Sequence, residues 1–188
     1  MNSWPYLLVR IIVIFTCLSW VAGNGYGQAP KESATPAVNA FKQLNVLIGE
    51  WEGKFDDGRV HRVTYRLSAR GHALVETWAL PAKSGPTSES ITIYHLDGDK
   101  LIADHYCPQG NVPRLEMTAM AGDKFNFAFR DGTNLNVAGK THQHSFWVQI
   151  KSADEYLRQE TYVPNGSTPA QSAAAKGDDG IPYRRVKP

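Results

Sequence analysis

The sequence predicts an all-β protein, an antiparallel up-and-down β-barrel of about ten strands with a short N-terminal helix. Three observations carry that reading. Apolar and polar residues alternate with period two from Trp51 almost to the C-terminus. Turn dipeptides divide the alternating runs: Asp57-Gly58, Arg70-Gly71, Asp97-Gly98, Gly122-Asp123, Asp131-Gly132 and Ala153-Asp154. No helical pattern intervenes between the runs, so consecutive strands join as hairpins, and closure removes the edges such a meander would expose.

The chain opens outside the fold. Arg10, the apolar run Ile11–Val21 and the small residues Ala22, Gly23, Gly25 and Gly27 follow the order of a secretory signal. The run is shorter than the roughly 20 residues of a membrane span. Residues 1–27 therefore read as a cleaved signal peptide, leaving no stable membrane span and placing the mature protein in the periplasm or outside the cell. Gln28–Val38 is rich in Pro, Ala, Ser and charge and reads as a disordered leader, with the single barrel domain occupying residues 39–188.

Asn39–Leu47 carries apolar residues at helical spacing, with Asn39 as its cap and Gly49 as its stop. Strands are expected at Trp51–Phe55, Val60–Ala69, His72–Leu80, Ser88–Leu96, Leu101–Cys107, Arg114–Met120, Lys124–Arg130, His142–Lys151 and Glu155–Val163. Asn165–Gly180 is low in complexity and reads as a flexible loop. Strand character returns at Ile181–Val186, a tenth strand that would seal the barrel.

Alternation assigns faces, because successive side chains of a strand point to opposite sides. One face collects His61, Val63, Tyr65 and Leu67; the next strand adds Leu74, Glu76, Trp78 and Leu80. Leu101, Ala103, His105 and Cys107 share a face, as do His142, His144, Phe146, Val148 and Ile150; Phe125, Phe127 and Phe129 form an aromatic stripe. The fourth strand is undecided between Ile91 with Ile93 and Tyr94 with Leu96. The interior is thus apolar with a few ionisable groups, which must be paired or neutralised. Such a lining suits a pocket, where apolar walls give affinity and a few polar groups fix orientation. It also suits a filled barrel with one internal ion pair.

The segment Leu47-Ile48-Gly49-Glu50-Trp51-Glu52-Gly53 is similar to the G-x-W opening of lipocalin-like, calycin-type barrels. With Leu74-Val75-Glu76-Thr77-Trp78 and the stretch from His105-Tyr106-Cys107 to Val112-Pro113-Arg114, the chain resembles exported bacterial lipocalin-like proteins near the domain of unknown function 1579. The resemblance covers most of Phe41–Val163. It implies a barrel with a helix at one end, and it implies no activity.

The formal charge of +2 gives no footprint for nucleic acid. Cys17 falls within the signal, so Cys107 has no partner for an intramolecular disulfide in the mature protein. The G-x-S-x-G elbow, the phosphate-binding glycine loop and H-E-x-x-H are all absent, which argues against an enzyme. The candidate ligand-binding residues are Tyr65, Glu76, Trp78, His105, Cys107, Arg114, Phe127, His144 and Phe146. Arg114, at the far side of a Pro-bounded turn from Cys107, reads either as a rim clamp for an acidic group or as the cation paired with Glu76 or Glu160. No cofactor is predicted. If His105, Cys107, His142 and His144 converged they would suit Zn2+, and a histidine could hold non-covalent haem; the alternative is that they satisfy partners of their own. The expected function is carriage of a small, mainly apolar or amphipathic molecule with one polar or acidic end. The alternatives are a hydrolase or isomerase using an interior His, and a filled barrel acting as an interaction module.

Overall fold

The computed structural model describes residues 34–55, 57–80, 87–177 and 179–187. The expected signal peptide lies outside them. Ten strands run β1 Gly49–Lys54, β2 Val60–Ser68, β3 Ala73–Leu80, β4 Ser88–Asp97, β5 Lys100–Tyr106, β6 Val112–Ala121, β7 Lys124–Thr133, β8 Thr141–Ser152, β9 Glu155–Pro164 and β10 Ile181–Arg185. Each pairs antiparallel with its neighbours in a closed barrel, and β10 bridges β9 and β1, with Trp51 opposite Arg185 and Tyr183 opposite Tyr156. The tenth strand does seal the fold.

One end of the barrel is stoppered by helix α1, Pro36–Leu44. It starts earlier than its sequence suggests. Thr35, not Asn39, is the cap: its Oγ1 accepts from Val38 N–H at 3.3 Å, and Pro36 supplies a first-turn residue with no N–H to satisfy. The helix therefore takes in the last residues of the expected leader. Ala37, Ala40, Phe41 and Leu44, spaced three and four apart, bury its apolar stripe. Trp51 Nε1 donates to Leu47 O at 2.6 Å, tying the helix exit to the barrel wall. Arg185 completes the junction from β10: Nη1 and Nη2 donate to Ile48 O and Val46 O, each at 2.7 Å, and its guanidinium lies 4.2 Å from the Trp51 ring centre. Gly53 lets the Tyr183 ring lie flat on β1, where a Cβ would sit 2.6 Å from a ring carbon.

Above α1 the barrel is filled. Tyr65, Leu74, Tyr94, Leu101, Leu115, Phe125, Phe127, Phe146, Val148 and Tyr156 are buried in one cluster, with Phe127 and Phe146 stacked at 4.5 Å. One open face is decided and two assignments change. In β4 the inward row is Ser90, Thr92 and Tyr94, leaving Ile91 and Ile93 outside. In β8 a bulge at His144 breaks the register between Gln143 and Ser145, so His142 and His144 do not continue the row of Phe146 and Val148. Leu67 ends its row exposed. Segment 165–180 contains helix α2, Pro169–Ala174, begun by a capping box between Thr168 and Gln171, where a flexible loop was expected. The same segment passes over the outer face of β8 and β9, with Gly177 against Gln159 and Gly180 against Trp147.

Candidate ligand-binding site

Antiparallel alternation puts the ends of β1, β3, β5 and β9 and the starts of β2, β4, β6 and β10 at the barrel end away from α1. Two adjoining cavities open there and share Trp78 and Tyr162. One, of about 240 Å3, is lined by Trp78, Ser88, Ser90, Cys107, Pro108, Gln109 and Tyr162. The other, of about 260 Å3, is lined by Phe55, Trp78, Arg158, Glu160, Tyr162, Ile181 and Tyr183. Together they reach the lower part of the roughly 300–1,000 Å3 range of small-molecule sites.

Arg158 lines the second cavity and is the group that organises this end. It projects from β9 toward Glu76 on β3, four strands away around the barrel in one direction and six in the other. Arg158 Nη1 donates to Glu76 Oε2 at 2.7 Å and to Tyr94 Oη at 3.0 Å; Nε donates to Glu160 Oε1 at 2.8 Å. Tyr94 Oη donates to Glu76 Oε2 at 2.7 Å. The guanidinium also sits 4.6 Å from the centre of the Phe146 ring. Burial opposes its charge, yet Glu76, Tyr94 and Glu160 together hold it well above the usual arginine value. One donor is left over. Arg158 Nη2 is buried and has no hydrogen-bond partner among the described residues.

The tyrosines are locked neutral: burial, reinforced by Glu76, pushes the hydroxyls of Tyr65, Tyr94 and Tyr156 well above their usual range. His105 is pulled down to about 4 by burial and by Arg158. Its Nδ1 is 3.0 Å from Thr92 Oγ1 and its Nε2 is 3.4 Å from Tyr162 Oη. His61 is likewise lowered to about 4, by burial and by Arg59, with Nδ1 receiving Trp78 Nε1 at 3.1 Å. That bond fixes the plane of the indole shared by both cavities. Burial raises the Cys107 thiol.

Of the expected ligand-binding residues, only Trp78 and Cys107 line the cavities. Tyr65, Phe127 and Phe146 are packed in the core, and Glu76 acts behind Arg158. Arg114 is a correction. It stands exposed on the outer surface, its Nε 3.0 Å from Asp104 and its Nη1 3.1 Å from Asp131, so it neither clamps at the rim nor pairs with Glu76. His105, Cys107, His142 and His144 do not form a metal centre: among the described residues no group of three or more His, Cys, Asp or Glu side chains is placed to hold one. His142 bonds Asn165 through Nδ1 at 3.0 Å, and His144 stacks on Phe129.

Among solved structures, the chain is similar to the crystal structure of Rv2717c from M. tuberculosis, at 16% identity over 82% of this chain and 100% of that one, with a TM-score of 0.52. The likeness shows the fold. A second structure, EF1p2_mFAP2b bound to DFHBI, aligns at 13% identity over 78% of this chain and 99% of that one, with a TM-score of 0.38. No protein-family model and no curated protein matches the chain.

Arg158 and Glu160 were not among the candidates. The signal for Arg158 was Glu76 itself, an acidic residue in an apolar row that needs a cation, together with the alternation Tyr156, Arg158, Glu160, Tyr162 along one strand.

Proposed function

We propose that the protein is an exported carrier of a small molecule whose apolar body lies between Trp78, Tyr162 and Phe55 and whose polar end reaches Arg158. The observation that carries this reading is the buried Nη2 of Arg158, a donor without an acceptor among the described residues, on a side chain that lines an aromatic-walled cavity. A buried donor of that kind costs about 1–3 kcal/mol while unsatisfied, and a ligand acceptor would recover it. The filled lower barrel holds Arg158 rigidly, so little ordering is required on binding. Export rests on the order of residues in 1–27, and the mature protein is expected to begin near Gln28, which N-terminal sequencing of material from its own host would establish.

Native mass spectrometry of untagged protein and titration with the neutral fluorophore N-phenyl-1-naphthylamine test the carrier reading. A co-purifying small molecule, or dye uptake with quenching of tryptophan emission, is the expected result. A clean apo mass together with no dye uptake would overturn it.

A further inference from the structure

We infer that the polar end of the ligand is a neutral hydrogen-bond acceptor of the carboxamide type rather than a carboxylate; the inference rests on the carrier reading above. Arg158 Nη2 offers an N–H and therefore needs an acceptor. The positive charge behind that N–H is already met twice, by Glu76 at 2.7 Å and by Glu160 at 2.8 Å. Glu160 lines the same cavity as Arg158, so any group approaching Nη2 does so beside a carboxylate.

Among the described residues the remaining lining offers no compensating charge: Phe55, Trp78, Tyr162, Ile181 and Tyr183 are all neutral side chains. Beside it, Arg59 lies 5.2 Å from the Phe55 ring centre and is already bound to Asp57 at 2.8 Å. A ligand carboxylate would thus add a third negative charge to a site holding one positive charge, beside side chains that are themselves largely buried. Like charges brought together in such surroundings repel strongly. A carboxamide meets both neighbours. Its carbonyl accepts from Nη2, and its N–H donates toward the Glu160 carboxylate or the Tyr162 hydroxyl. Arginine usually marks an anion site; here the two acidic residues on it reverse that preference.

The test compares octanamide with octanoate, equal in chain length, as competitors of bound N-phenyl-1-naphthylamine on the full mature protein at about pH 8, where the free acid is ionised. Octanamide is expected to displace the dye at a concentration at least about tenfold lower than octanoate. Equal or better displacement by octanoate would overturn the inference and leave the carrier reading standing, as would failure of both to displace a bound dye. Absence of dye uptake would remove the carrier reading and this inference with it. The Glu160→Gln variant removes one negative charge and retains the shape. It should narrow the gap between the two competitors, and an unchanged gap would also overturn the inference.

Discussion

Arg158 Nη1 meets Glu76 Oε2 at 2.7 Å across the barrel interior, joining residues that lie 82 positions apart in the chain. The pair separates the packed half of the barrel from the open half. It is also almost wholly buried, with the side chains 3% and 2% exposed, so removing one partner strands the other.

Replacing Arg158 with Met should lower stability by about 3–5 kcal/mol, because Glu76 is then left buried without its cation. Adding Glu76→Leu should restore much of the loss. Urea unfolding of the two single variants and the double variant gives the coupling directly, and a double variant as unstable as Arg158→Met would contradict the assignment.

Arg114→Gln should behave differently from Arg158→Met. Its salt bridges to Asp104 and Asp131 are exposed, and surface pairs contribute roughly 0–1 kcal/mol. The unfolding midpoint should barely move, and N-phenyl-1-naphthylamine affinity should not change. A loss of dye affinity would return Arg114 to the rim.

Acid should destabilise the protein in a defined window. His61 and His105 sit at about 4 in the folded state against about 6.5 unfolded, so between those values the unfolded chain binds more protons. Stability is then fully present above about pH 6.5 and falls as the pH drops toward 4. Urea midpoints measured across this range should decline, and His61→Gln combined with His105→Gln should flatten the slope.

Cys107 should react slowly with iodoacetamide near neutral pH, since burial raises the thiol and less thiolate is available. Because it lines the first cavity, saturation with N-phenyl-1-naphthylamine should slow alkylation further. Unchanged labelling in the presence of bound dye would place the dye elsewhere.

Gly53→Ala should cost about 1–3 kcal/mol, the usual range for overpacking, as the new methyl meets the Tyr183 ring. Thermal unfolding would show it, and Gly58→Ala cannot serve as the control because Gly58 has a positive φ.

Strand number, turns and closure were legible in the sequence because period-two alternation and turn dipeptides are local signals. The row of β2 as far as Tyr65, that of β3 as far as Trp78, that of β5, and Phe125 and Phe127 of β7 were read correctly, Glu76 and His105 included. What failed was decided from outside each strand. In β9 no inward row was read from the sequence; the segment 165–180 covers part of the outer surface, with Gly177 against Gln159, and leaves the interior to Tyr156, Arg158, Glu160 and Tyr162. In β4, which the sequence left open, Ile91 and Ile93 lose the interior to Thr92 and Tyr94, whose hydroxyls have partners in His105 and Glu76. The bulge at His144 has no signature in composition, and it separates the two histidines from the row they were expected to join. The pocket moved accordingly, from the aromatic middle of the barrel to its mouth.

The pairing of β1 with β10 has a consequence for how the chain is made. Val186 N–H donates to Glu50 O at 2.8 Å, so the first strand finds its second partner only in the tenth. Until Ile181–Arg185 arrives, β1 and β9 each keep an unpaired edge, and α1 lacks the Arg185 clasp on its exit. Long-range strand pairing of this kind is slow, and open edges are sites of self-association. Barrel closure therefore waits for β10, and a chain stopped short of Ile181 should aggregate rather than fold.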